Sequence, residues 1–186
     1  MPQFFTQPAI ILKKMPYGEA HEILTVLFKE GGVRRLFVRN SKNSKKRFAG
    51  ILDHFTHLQL TYSTHSQGLW SLDEASPLAG KQDLNLFWRD DLKVYGFFNF
   101  LAEMICEFSP EDAEDPHLFD LWSQTVLYLK QQDLTPVWMK GVISCFLREF
   151  GYSLKSSEIN LEEAVHFVQT LLQKPLKSSK FFIKTL

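Results

Sequence analysis

A run of basic residues in the first third of the chain offers the clearest chemistry in the sequence. Its later members are separated only by Asn and Ser, and one sign of charge dominates throughout. Guanidinium groups make forked contacts with phosphates and stack on bases, whereas ammonium groups act as point charges. The run therefore predicts a DNA-binding surface. Its predicted contact residues are Arg34, Arg35, Arg39, Lys42, Lys45, Lys46 and Arg47.

The charges of the chain are divided unevenly along its length. Residues 1–60 hold ten Lys and Arg against four Asp and Glu, and the remainder holds eleven against seventeen, so a net charge of zero combines +6 with −6. Such a field concentrates polyanions at one part of the molecule. DNA is the leading partner. An acidic protein that meets the same basic face is the alternative, and a basic run can also be only a solvated surface.

The elements that must position these cations are short strands. Residues 8–75 contain about five apolar or alternating segments separated by turn residues, which predicts a small closed or partly open barrel. In the third strand, residues 33–38, side-chain alternation places Arg35, Phe37 and Arg39 on one face and Arg34 on the other. Phe37 then either stacks on bases or belongs to the barrel core, and both readings stay open.

From residue 83 onward, apolar residues recur at the three- and four-residue steps of amphipathic helices. Capping chemistry marks three helix starts and Gly151 marks a helix end. The predicted caps are Asp115, Thr135 and Asn160. The pattern predicts an α+β protein, with a five-stranded barrel domain at 1–78 and an all-α domain at 79–186.

Residues that could support catalysis or bind metal are sparse. His54 and His57 are predicted on opposite faces of a strand, and Cys106 and Cys145 in separate helices, so no metal site is expected. An acidic cluster could serve a metal-dependent nuclease, although a turn that favours the next helix dipole is the preferred reading. The cluster comprises Glu111, Asp112, Glu114 and Asp115. No phosphate-cradling Gly-rich motif is present, and we predict neither enzymatic activity nor a cofactor.

Several segments, taken in order, resemble the bacterial RecO family of recombination mediators. In the N-terminal half they are 9–12, 17–20, 23–28, 32–36 and 44–52. In the C-terminal half, Gly151-Tyr152 ends a helix, and the segment around Leu176-Lys177-Ser178 resembles the family's closing helix. The likeness covers nearly the whole chain, although each motif alone is short. Two departures are the absence of the four-cysteine zinc site found in many members and the segment Arg39-Asn40-Ser41, where relatives tend to have a Gly-Ala turn.

The resemblance implies an N-terminal OB-fold followed by a helical domain. It also implies binding of single- and double-stranded DNA, annealing of complementary strands, and help in loading recombinase during DNA repair and recombination after DNA damage. The implied partners are a RecR-like mediator and the C-terminal tail of single-stranded-DNA-binding protein. With no secretory signal or membrane span in the sequence, a cytoplasmic, nucleoid-associated protein is expected.

Overall fold

The computed structural model describes residues 3–41, 48, 50–64, 70–80, 88–110, 113–129, 131, 133–154 and 159–185. Five strands come first: β1 (Gln3–Tyr17), β2 (His21–Phe28), β3 (Gly32–Val38), β4 (His57–Thr64) and β5 (Trp70–Pro77). Five helices follow: α1 (Leu92–Phe108), α2 (Pro116–Leu129), α3 (Pro136–Glu149), α4 (Leu161–Leu172) and α5 (Lys177–Thr185). None of these described helices has the length and apolar character needed to cross a membrane.

The strands close into a barrel in the order β1-β2-β3-β5-β4, with β3 and β5 parallel and the other neighbours antiparallel. This five-stranded arrangement is the OB-fold, so the predicted fold class is confirmed. Alternate residues of each strand point inward. The barrel core holds Leu24, Val26, Leu36, Val38 and Leu60, among others, all inaccessible to solvent.

A second apolar layer lies outside the barrel. Ile10 pairs with Leu27, which pairs with Val33, and all three are buried although they point away from the core. The segment 113–119 packs against this side of the barrel, since the Phe119 ring lies 6.0 Å from that of His57. An added Cβ at Gly32 would lie 1.9 Å from the Ala113 carbonyl oxygen. We call Ile10, Leu27 and Val33 the covered row.

The chain divides into two compact units. One comprises residues 1–86 with 111–119, and the other comprises 87–110 with 120–186. The helical unit is built around aromatic side chains, among them Phe100 and Phe182, whose rings stack at 5.4 Å. The predicted limits of independent domains, 1–78 and 79–186, stay a prediction.

The helix starts and the helix end read from the sequence are confirmed. Asp115, Thr135 and Asn160 each accept hydrogen bonds from backbone N–H groups of the first turn, and Glu163 completes a capping box with Asn160. Gly151 has φ of +79° just after α3. Its N–H donates to the Arg148 carbonyl, and the Tyr152 N–H donates to that of Leu147, which is the Schellman arrangement.

Two predicted element limits are wrong. The strand region, predicted to begin at residue 8, begins at Gln3, and β1 continues to Tyr17 because its first half pairs with β4 and its second half with β2. The helix expected from residue 83 begins at Leu92. Asp91, predicted to lie inside a helix, is its N-cap and accepts from the N–H groups of Lys93 and Val94.

Candidate nucleic-acid interface

The exposed side of the β1–β2–β3 sheet carries aromatic and cationic side chains in three cross-strand rows. Beyond the covered row, β1 has a bulge between Ile11 and Lys13, and the next outward positions are open to solvent or half-buried. Direct pairs join Lys13, Thr25 and Arg35 in the first row, Met15, Ile23 and Phe37 in the second, and Tyr17 and His21 in the third. We call these eight residues the outer face.

Aromatic rings occupy the far end of the outer face. The Phe37 ring lies 5.8 Å from that of Tyr17 in an edge-on arrangement and 5.1 Å from the His21 ring. Tyr17 is 55% exposed and Met15 43%. Phe37 is half-buried and points away from the core formed by Leu36 and Val38. The rings therefore offer apolar surface on which a flat ligand can stack.

The charge on the outer face is positive. Lys13 and Arg35 are exposed and lie on either side of Thr25, and none of the eight residues is acidic. Arg39 is exposed just after β3, where the Asn40 N–H donates to His21 Nδ1 at 3.0 Å. Arg39 thus lies at the aromatic end, and cations stand at both ends of the apolar rows.

Arg34 does not join Arg35 on the outer face. Its guanidinium lies 5.5 Å from the centre of the Trp70 ring, and its Nη1 donates to the Val33 carbonyl at 3.0 Å. Trp70 stacks on Tyr62 at 4.9 Å and 11°, and Tyr62 stacks on Phe5 at 5.6 Å. Arg34 therefore belongs to an aromatic stack at one end of the barrel.

The surroundings of Tyr62 in this stack change the pKa of its phenol. Burial raises the pKa of the Tyr62 phenol above its ordinary value of 10.0, and it outweighs the opposing effects of Gln7 and Arg34. The Gln7 amide donates to the Tyr62 oxygen at 2.8 Å. The phenol is therefore neutral and fixed in position, which favours a structural role.

Of the predicted DNA-binding residues, the structure brings together Arg35 and Arg39, with Phe37 between them along the chain. Lys42, Lys45, Lys46 and Arg47 lie outside the described residues. The sequence reading missed the contribution of β1. Its signal is the alternation of Lys13, Met15 and Tyr17, which becomes visible once β1 is known to extend to Tyr17.

The two histidines considered as metal ligands are not arranged as the sequence predicts. His54 lies in a turn before β4 rather than on a strand with His57, which corrects the predicted placement. Burial, with the nearby Lys14 ammonium, lowers the pKa of His54 below its ordinary 6.5, despite Asp53 and Glu22. His54 thus favours the neutral form.

The described part of the chain contains no group of three His, Cys, Asp or Glu side chains placed to hold a metal ion. Glu111 and Asp112 of the acidic cluster are outside it. Asp115 instead accepts from the His117 N–H at 3.1 Å and caps α2. Cys106 and Cys145 are half-buried thiols in α1 and α3.

Comparison with known proteins identifies the barrel segment. Residues 1–80 match the family model described as "Recombination protein O N terminal". This range contains all five strands and the whole outer face.

Curated relatives extend the similarity into the helical region. The "DNA repair protein RecO" of Thermodesulfovibrio yellowstonii is 28% identical over 128 residues, which cover 69% of this chain and 50% of the relative. The protein of the same name from Desulfosudis oleivorans is 33% identical over 119 residues, covering 63% and 44%. That from Halalkalibacterium halodurans is 23% identical, covering 69% and 48%. The chain thus spans about half the length of the curated relatives it matches.

Proposed function

We propose that this chain, which belongs to the RecO family through its N-terminal barrel, is a non-catalytic DNA repair and recombination protein. In this proposal it binds single-stranded DNA on the outer face. The observation that carries the proposal is the combination of Lys13 and Arg35 with the exposed aromatic rows of the same sheet. OB-folds commonly bind oligonucleotides along their second and third strands.

The binding mechanism combines charge and stacking. Lys13, Arg35 and Arg39 neutralise phosphates and release condensed counterions, which supplies affinity without sequence preference. Tyr17 and Phe37 offer faces on which unpaired bases stack, a contact that contributes about 1–3 kcal/mol per base. Arg34, Lys42, Lys45, Lys46 and Arg47 are proposed to add phosphate contacts.

The wider activity follows from family membership. The relatives are named as DNA repair proteins, and we propose that this chain also binds double-stranded DNA, anneals complementary strands and assists recombinase loading. A RecR-like mediator and the tail of single-stranded-DNA-binding protein are the proposed partners, in the bacterial cytoplasm at the nucleoid. Annealing would result from charge neutralisation, because two strands repel each other less when cations screen their phosphates.

A salt titration tests the barrel site. Binding of an unstructured oligonucleotide through about four to six phosphates gives a log–log slope of about −0.7 per contact against salt concentration. Fluorescence anisotropy of a labelled oligo-dT between low and physiological salt measures that slope. Affinity that does not change with salt would remove the proposal.

Substitutions on the outer face locate the site. Lys13→Glu with Arg35→Glu should weaken binding of any sequence, whereas Lys29→Glu, an exposed lysine in the β2–β3 turn, should have little effect. Phe37→Leu keeps apolar volume but removes the ring, so affinity should fall while the salt slope stays the same. If the chain binds an acidic protein instead of DNA, naked oligonucleotides will show no gel shift at all.

A further inference from the structure

The last part of the chain carries a second basic segment. Residues 164–186 contain four lysines and neither Asp nor Glu, although residues 61–186 as a whole have a net charge of −6. The four are Lys174, Lys177, Lys180 and Lys184. The acidic average of the helical region therefore hides a local concentration of positive charge.

Helix α5 gathers three of these lysines on one side. At 100° per residue, Lys177, Lys180 and Lys184 fall within an arc of about 60°, and Phe181 extends the arc to about 100°. All four are exposed, whereas Ser178, Ser179 and Phe182 on the other side are buried. We call Lys177, Lys180, Phe181 and Lys184 the α5 surface.

The carboxylates of Glu103 and Glu107, near the α5 surface, are engaged in other contacts. Glu103 accepts hydrogen bonds from the backbone N–H groups of Lys177 and Ser178 and from the Ser178 hydroxyl, and so caps α5. Glu107 pairs with Lys174. Within the described residues, no ion pair links the ammonium groups of Lys177, Lys180 or Lys184 to a carboxylate. These three charges remain available to a ligand.

Aromatic rings continue the α5 surface onto the neighbouring helix. The Phe181 ring, 39% exposed, lies 6.1 Å from the Tyr95 ring, and Tyr95 lies 5.4 Å from Trp88. Gly96 permits this approach, because a Cβ at that position would lie 3.3 Å from Phe181 Cε1. Trp88 and Tyr95 are half-buried, while Asp90 is an exposed acid in the same region. The carboxylates of a short acidic peptide would contact only the lysines, whereas single-stranded DNA would contact the lysines through its phosphates and the rings through its bases.

We propose that the α5 surface is a second single-stranded-DNA site on the helical unit, so that one chain can hold two strands. This rests on the proposed DNA-binding function and assigns that function a second location. The lysines lie at axial steps of about 4.5 and 6 Å, a row of about 10 Å that suits two or three phosphates. Phe181 supplies the ring on which an unpaired base stacks. Two strands held by one molecule would meet at high effective concentration, which favours annealing.

The test compares charge-reversed and charge-preserving variants of the full chain. Lys177→Glu, Lys180→Glu and Lys184→Glu together should abolish a second oligo-dT binding event, reduce the overall salt slope by about 2 and slow annealing of complementary oligonucleotides. The matched triple change of the same lysines to Arg should keep all three properties. Titration of labelled oligo-dT of about ten nucleotides, within the usual site size of an OB-fold, reports the number of strands bound.

The readouts separate this proposal from the barrel site. If the α5 glutamate variant binds the same number of strands with the same slope as the unaltered chain, the second site does not exist. If the Lys13→Glu and Arg35→Glu variant keeps its binding while the α5 variant loses it, the second site stands and the barrel site falls. Loss of polyglutamate binding in the α5 variant, with DNA binding unchanged, would assign the surface to an acidic protein and overturn the proposal. Far-UV circular dichroism and the single change Lys180→Glu check that the fold is intact.

Discussion

Gly32 illustrates how strongly one residue can be constrained by a distant segment. Its φ is +62°, a region that L side chains rarely adopt, and a Cβ there would lie 1.9 Å from the Ala113 oxygen. Gly18 has nearly the same φ, +61°, but nothing within 4 Å of its added Cβ. Comparing the two glycines therefore separates the cost of a positive φ from the cost of a steric clash with the segment 113–119.

Gly32→Ala should lower the free energy of unfolding by about 3 kcal/mol, because strain and the clash with Ala113 add together. Gly18→Ala should cost only about 1 kcal/mol, since only the positive φ opposes the new side chain. Urea unfolding monitored by circular dichroism measures both values. Equal losses for the two variants would mean that the segment 113–119 does not press on Gly32.

The adjacent residues Arg34 and Arg35 show how alternation separates identical side chains. Both are cations in the same basic run, yet one lies over Trp70 at the barrel end and the other on the outer face beside Thr25. The period of a strand predicts this separation. It does not reveal which aromatic ring Arg34 meets, because Trp70 is contributed by another strand.

At the scale of elements, α5 depends on a cap from another helix. Its first residues offer backbone N–H groups that no preceding side chain satisfies in the usual way, and Glu103 of α1 accepts two of them together with the Ser178 hydroxyl. This contact gives a physical role to the Lys-Ser pair of the Leu176-Lys177-Ser178 segment. A carboxylate at a helix N-terminus also interacts favourably with the helix dipole.

Glu103→Ala should lower the free energy of unfolding by about 2 kcal/mol, since it removes a charged cap and leaves N–H donors unsatisfied. The matched change Glu107→Ala removes only an exposed ion pair with Lys174 and should cost less than about 1 kcal/mol. Thermal or urea unfolding distinguishes them. A cost for Glu103→Ala no larger than that for Glu107→Ala would contradict the capping role.

Strand β1 was underestimated from sequence for a reason that belongs to the element. Pro8 interrupts its apolar pattern, but β1 pairs with β4 from Gln3 through Ile10 and with β2 only from Ala9 onward. Pro8 therefore lies at the very end of the β2 pairing, where its carbonyl still accepts from the Lys29 N–H at 2.9 Å. The bulge between Ile11 and Lys13 then changes which residues point outward.

On the scale of the whole molecule, the separated charges predict a simple solution property. The formal net charge is zero at pH 7, with +6 on residues 1–60 and −6 on the remainder. Molecules of this kind attract one another at low ionic strength, because opposite charges on different copies can meet and no net repulsion opposes them.

Self-association should therefore be greatest near pH 7 at low salt and should decrease at physiological ionic strength, where the Debye length is about 8 Å. Light scattering across a series of salt concentrations measures the effect. A single-stranded oligonucleotide should reduce association as salt does, because it occupies the basic surface. Scattering that rises with salt would instead indicate association through apolar surfaces.

The sequence by itself determined the properties that depend on neighbours along the chain. Side-chain alternation predicts the faces of β3, capping residues predict the starts of three helices, and the short motifs predict the family. Only the tertiary structure decided which distant residues share a surface. Strand register aligns Lys13 with Arg35 across Thr25, the segment 113–119 packs on the barrel beside Gly32, and Glu103 reaches the first turn of α5. Each of these contacts joins residues that are distant in sequence and are brought together by strand register or by packing between elements. The repeat of apolar residues along one strand or helix does not determine which other element it will meet.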